Sequence, residues 1–331
     1  MMRVLLLALS MSSFAANGRA GRSRKRSPFR VAAYLPEYRM GGIDWAALGS
    51  RATDVILFSV EPAPDGSIAH LSRLPQVVMD QARVARQAHG VRLVVCVGGA
   101  GRSASFGLLA QPPFRKKFGQ SLLAFAMVEK LDGLDFDWEG QVGANEDTSL
   151  SKLLSGIRKA AKKNDYSLKL SVTVHPGDVY PESFKAANFV HLMSYDSCDK
   201  VPCRHATFET AKSHVQHILT AGVPAHKLLL GIPAYARQMD KPQEAKTYTE
   251  LISEHGSLPP EADEAPGGWY FNGIATVVKK SGFAMGQGLG GVFFWEAGQD
   301  TNDAATSLLH AVRASLPPSP TPVAVQGKGE L

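Results

Sequence analysis

Leu131-Asp132-Gly133-Leu134-Asp135-Phe136-Asp137-Trp138-Glu139 is a run in which acidic and large apolar side chains alternate. If it is extended, successive side chains point to opposite faces. Asp135, Asp137 and Glu139 then stand in a row on one face, while Leu134, Phe136 and Trp138 fill the other. Strands disfavour Asp, so three carboxyls on one strand face call for more than an exposed acidic surface. Like charges this close cannot all ionise comfortably. At least one should keep its proton to higher pH, as a general acid must.

Outward from this run, short apolar segments alternate with helical patterns, the sequence sign of βα units around a parallel sheet. Strands are expected at Val31–Leu35, Asp54–Val60, Val91–Val97, the acidic run, Leu168–Val174, Phe189–Tyr195, Lys227–Ile232 and Gly291–Trp295. The helix from Pro75 should bury Val77, Val78, Ala82 and Ala85 and stop at Gly90. Further helices are expected near 113–130, 149–163, 182–187, 205–221 and 302–314. Eight such units over residues 30–314 fit a TIM barrel, (β/α)8, as one catalytic domain. No Gly-x-Gly-x-x-Gly turn follows the first strand, so a doubly wound dinucleotide fold lacks its signature. The stretch 239–268, rich in Pro, Glu and Gly, reads as an insertion after the seventh strand.

The chain has 331 residues, 44% hydrophobic and 20% charged, enough to bury a large core. Its net charge of +6 is local. Seven of the 36 Lys and Arg fall within residues 1–30, which hold no acid, leaving 29 against all 30 Asp and Glu. The body is nearly neutral and gives no support to nucleic-acid binding. Residues 1–20 read as a signal peptide, with Arg3 ahead of Val4–Leu9 and small residues after it. An organelle transit peptide is the alternative. Residues 21–29 then form a basic linker or pro-segment. Such a leader implies a secreted or lumenal protein. Residues 315–331 are a Pro-rich tail expected to be disordered, and its last four, Lys328-Gly329-Glu330-Leu331, resemble an ER-retrieval signal with Gly in place of Asp. No other stretch could span a membrane.

Of three cysteines, Cys198 and Cys203 are close enough in a loop to pair, and Cys96 in its apolar run reads as a buried thiol. His214 and His217 lack a third ligand, so neither metal nor other cofactor is expected. Catalytic groups of a TIM barrel sit at the carboxyl ends of its strands. Those ends offer Tyr34, Gly98, Gly99, the acid row, His175, Tyr195, Asp196, Tyr235, Arg237, Trp295 and Glu296. Aromatic platforms, hydroxyls and carboxyls without a phosphate cradle describe a sugar site. His175 has either a sugar contact or a plain structural role.

These residues resemble glycoside hydrolase family 18, the chitinase group. Its motif Asp-Gly-x-Asp-x-Asp-Trp-Glu is matched without a gap from Asp132 to Glu139. Gly98-Gly99, Met193-Ser194-Tyr195-Asp196, Leu230 to Arg237 and Gly291 to Glu296 follow in the family's order, covering residues 30–314. The resemblance implies hydrolysis of β-1,4-linked N-acetylglucosamine, in chitin or its oligomers, in an endo-acting, retaining, substrate-assisted reaction through an oxazolinium. Glu139 would be the proton donor and Asp137 the partner of the acetamido group. Asp135 would tune Asp137, and Tyr195 would bind the acetamido carbonyl. Trp295 would floor the sugar, with Asp196, Arg237, Tyr34, Gly98 and Gly99 completing a substrate-binding set. The N-glycan core, peptidoglycan, or a non-catalytic chitin-binding lectin are the alternative readings. The protein is expected to be a monomer that binds carbohydrate. Cys96 stands where the family commonly has Ser, and Ala236 where it has Gly.

Overall fold

Strands covered on both faces read as nearly continuous apolar runs, and those of this chain close a parallel barrel. The structure is a computed structural model describing residues 28–317 apart from Gln141 and Asp199. The barrel strands are Arg30–Pro36, Asp54–Pro62, Arg92–Gly98, Gly133–Asp137, Lys169–Val174, Phe189–Leu192, Leu228–Pro233 and Gly291–Trp295. Each pairs in parallel with its sequence neighbours. Pairing of the first strand with both the second and the eighth closes the ring. Helices Trp45–Arg51, Gln76–His89, Pro112–Val128, Ala144–Lys163, Pro181–Ala186, Phe208–Thr220, Ile274–Gly286 and Leu308–Ser315 surround it. Eight parallel strands with helices outside make a (β/α)8 barrel, as expected.

Alternation along the strands divides the interior into two cores. Val31, Ala33, Leu35, Leu134 and Phe136 face the helices, in the larger core. Ala32, Tyr34, Ile56, Phe58, Val94, Cys96, Leu229 and Phe293 fill the lumen. Asp135 and Asp137 therefore point into the lumen, and their neighbours Leu134 and Phe136 bury their apolar surface outside, at about 1.5–3 kcal/mol for each large side chain. Trp138 packs outward too, stacked on Phe106 at 5.1 Å between ring centres.

Several boundaries differ from the sequence expectation. In the helix Gln76–His89 the buried face is Val78, Met79, Ala82 and Ala85, and Val77 is exposed. The sixth strand ends at Leu192, so Met193 to Asp196 belong to the loop above it. The fourth helix begins at Ala144, a turn before the expected start. The last helix starts at Leu308 because Asp300 captures the backbone N–H of Leu308 and Leu309, at 2.9 and 3.0 Å, and Ser307 caps His310. The stretch 239–268 has structure of its own. Tyr235–Gln238, Ala245–Thr247, Glu264–Ala265 and Trp269–Tyr270 form a four-stranded sheet, and Tyr248–His255 is a helix with a Thr247/Glu250 capping box. The expected leader 1–20, most of the linker 21–29 and the tail beyond 317 lie outside the described residues.

Candidate active site

The acid row is built by strand pairing. Asp135 sits opposite Cys96 on one side and Ser171 on the other, and Asp137 opposite Gly98 and Thr173. Asp135 is fully buried and saturated with donors. Ser171 Oγ donates to Oδ1 at 2.6 Å, while Thr173 Oγ1 and the Tyr34 hydroxyl each reach Oδ2 at 2.9 Å. The Tyr34 hydroxyl in turn lies 2.7 Å from His191 Nδ1 and 2.8 Å from Thr173 Oγ1. The network closes if His191 Nδ1–H donates to Tyr34 and Tyr34 donates to Asp135. His191 is buried, and burial lowers its pKa, favouring the neutral ring that this tautomer requires.

Asp137 is the opposite case. It is buried, and its Oδ1 has no hydrogen-bond partner in the protein. Burial, then the charges of Glu139 and Asp135, hold its pKa well above the usual carboxylate range. Its backbone is fixed instead, with the Gly99 N–H donating to Asp137 O at 2.7 Å. Glu139 lies past the strand end and is partly open to solvent. Its N–H donates to Ser103 Oγ at 3.0 Å, and Ser103 also lies 3.2 Å from Asp137 O. One serine thus ties the loop after the third strand to both acids.

Above the row, Trp295 packs edge-on against Phe58 at 4.9 Å and tilts against Tyr34 at 5.7 Å. Tyr195 meets Phe293 and Tyr235 at 6.2 and 6.3 Å. Arg237 grips Asp196 in a two-pronged pair, Nε to Oδ1 at 2.9 Å and Nη2 to Oδ2 at 2.7 Å. Buried His205 places Nδ1 3.2 Å from Asp196 Oδ1. Burial alone would raise the Asp196 pKa, but the His205 and Arg237 contacts prevail and lower it.

Three residues expected to bind substrate, Tyr34, Gly98 and Gly99, lie packed inside the barrel. Tyr34 is only 1% exposed and lies under the row, where it serves Asp135. Gly98 and Gly99 are packing positions. A Cβ on Gly98 would stand 2.3 Å from Asp137 O, and one on Gly99 2.2 Å from the Phe58 ring. Cys198 and Cys203 are joined in a disulfide, and Cys96 is free and buried. Among the described residues no group of His, Cys, Asp or Glu could hold a metal ion, and no helix is long and apolar enough to cross a membrane.

The model of glycosyl hydrolases family 18 matches residues 50–300. The chain belongs to family 18. Chitinase 1 of Aphanocladium album is 25% identical over 264 residues, 64% of this chain and 62% of that protein. Nod factor hydrolase protein 1 of Medicago truncatula is 26% identical over 266 residues, 63% of this chain and 69% of that protein. The chain thus spans about two thirds of the length of these relatives. A family 18 chitinase of Flavobacterium johnsoniae shares the fold with a TM-score of 0.73 at 24% identity, covering 87% of this chain and 93% of that one. A chitinase-like agglutinin of Robinia pseudoacacia does so at 0.71 and 19%, covering 86% and 98%.

Two departures from the family 18 pattern can now be placed. Ala236 is buried, and Arg237 beside it still reaches Asp196. Cys96 lies directly across from Asp135, and burial, then the Asp135 charge, raises its thiol pKa well above the usual value. The support network of Ser171, Thr173, His191 and Ser103 escaped the sequence reading. Ser171 and Thr173 left a signal, two hydroxyls on one face of an otherwise apolar strand, whereas His191 and Ser103 left none.

Proposed function

We propose that this protein is a retaining, endo-acting glycosidase that cleaves β-1,4-linked N-acetylglucosamine by substrate assistance. One observation carries the reading: Asp137 presents a buried carboxyl oxygen without a partner, beside a partly open Glu139 and above a saturated Asp135. An unpaired buried acceptor is costly, and the amide N–H of a 2-acetamido group is the donor it lacks. Glu139 protonates the glycosidic oxygen, the acetamido oxygen closes on the anomeric carbon, and Asp137 holds the ring nitrogen of the resulting oxazolinium. Glu139 then takes a proton from water as its oxygen adds to that carbon from the leaving-group side. The product keeps the β anomer.

Short soluble oligomers are the proposed substrates. Trp138 is packed away, Trp45 bonds Gln81 from an outer helix, and Trp269 lies under Lys246, so Trp295 alone floors the acid row. The leader, read as a signal, supports a secreted or lumenal site of action. The test is incubation of wild type and Glu139→Gln with chitotetraose, reading product mass and anomeric form. Cleavage to β-anomers by wild type, with none by the variant at an unchanged unfolding midpoint, is expected. Binding without cleavage by wild type would favour the second reading, a lectin, which the likeness to the Robinia agglutinin keeps in view.

A further inference from the structure

The proposed reaction starts with a proton on Glu139, so a neighbour that competes for that proton controls the pH range of turnover. His175 is such a neighbour. It stands just past the fifth strand, its backbone N–H donating to Asp178 Oδ2 at 3.0 Å, and its Nε2 lies 3.6 Å from Glu139 Oε2. The side chains are 54% and 26% exposed, so the pair sits at the mouth of the row and not beneath it.

We propose that His175 is a positioning residue for the proton donor, pairing as an imidazolium with the Glu139 carboxylate and setting the alkaline edge of turnover. The inference rests on the reading of Glu139 as that donor. The charged groups facing His175 are Glu139 at the fourth strand's end, Asp178 on its own loop and Asp196 above the sixth strand, all negative. Asp196 is spoken for by Arg237 and Asp178 by the His175 backbone, which leaves Glu139 as the partner of the ring. Facing Glu139 from the lumen is Asp137. The Glu139 carboxylate 3.6 Å away is the chief cause that raises the His175 pKa. Once Glu139 has given its proton to the glycosidic oxygen, the imidazolium faces the carboxylate formed, which then serves as base toward water.

The experiment is the pH profile of kcat/KM on chitotetraose for wild type, His175→Gln and His175→Lys, with unfolding midpoints taken alongside. Loss of the cation in His175→Gln should move the alkaline limb upward by roughly one pH unit, the size expected for unit charges this far apart in a solvent-like dielectric. His175→Lys, which keeps a positive charge, should leave the limb at or below its wild-type position. The gap between wild type and His175→Gln should shrink in 1 M salt. An unmoved limb in His175→Gln, or equal rises of KM in both variants with the limb in place, would overturn the inference and make His175 a sugar contact. Turnover by Glu139→Gln would overturn the donor assignment instead, so the two failures are told apart.

Discussion

Tyr34 and Asp135, 101 residues apart in sequence, meet at 2.9 Å inside the barrel, and the same hydroxyl touches His191 Nδ1 at 2.7 Å. The acid at the base of the row is therefore held by three strands besides its own, through Tyr34, through Ser171 and Thr173, and through His191. Saturating Asp135 leaves Asp137 as the acid free to bond to a ligand.

Tyr34→Phe removes the donor without changing the ring. Burial, then the Asp135 charge, puts the Tyr34 pKa well above the usual phenol, so the group donates at every working pH. Its loss leaves Asp135 one bond short and His191 Nδ1 with only the more distant Asp135 Oδ1, 3.4 Å away, at a cost of about 1–3 kcal/mol. The expected outcome is a kcat lower by roughly tenfold, with KM nearly unchanged because the residue does not reach the cleft. A purely KM effect would show that Tyr34 contacts sugar after all.

Cys96→Ser places a hydroxyl opposite Asp135, where a stronger donor than a thiol can reach the carboxylate. The fold should tolerate it within about 1 kcal/mol, and kcat should stay within a few-fold of wild type. Cys96→Val supplies no donor and should lower kcat more than the serine does, at similar stability. Comparing the two variants isolates hydrogen bonding from volume, and identical kcat values would show that Cys96 only fills space.

The barrel and the acid row were legible in the sequence because both are strand properties. Polar residues recurring every second position among apolar ones can be seen in one dimension, as at Asp135, Asp137 and Glu139. What was hidden depends on contacts between distant strands. A tyrosine at a strand end reads equally as sugar platform or as buried donor, and only its 101-residue contact decides. The small sheet within the insertion was illegible for another reason, since strands of two to four residues are too short to show a period. The helix Ile274–Gly286 shows no clear apolar period because its buried face, Val277, Lys280, Ser281 and Ala284, carries a lysine where an apolar residue is expected.

Gly98→Ala tests how tightly the third strand supports the fourth. Gly98 has φ of 99°, and an added Cβ would stand 2.3 Å from the backbone oxygen of Asp137 and 2.7 Å from the Phe106 ring. Left-handed backbone costs about 1–3 kcal/mol in a non-glycine residue, and the clash with a backbone atom adds to it. The variant should lose at least about 3 kcal/mol of stability, read from its urea midpoint. An unaltered midpoint would show that the two strands can separate at no cost.

Lys280 gives a pH dependence of stability whose sign can be worked out. Its ammonium is wholly buried, donating to Ala206 O at 2.8 Å and Asn272 Oδ1 at 2.7 Å, and burial pulls its pKa down to about 7. In the unfolded chain the group titrates near its ordinary value of about 10.4. Below pH 7 both states carry the proton, and the folded state bears the full cost of the buried charge. Between about 7 and 10 the unfolded chain binds more protons than the folded one, so stability rises with pH across that window. Each unit of difference is worth about 1.4 kcal/mol, which sets the rise across that window at about 4 kcal/mol. Lys280→Met has no group to titrate and should lack this rise, although it leaves Asn272 Oδ1 without its donor at every pH, while Ala206 O keeps the bond from Asn272 Nδ2. Urea unfolding of both proteins at pH 6 to 10 should therefore give a stability difference that moves in favour of wild type as pH increases. A difference constant with pH would mean that Lys280 keeps its charge in the folded state throughout, held by those two acceptors and by Asp263.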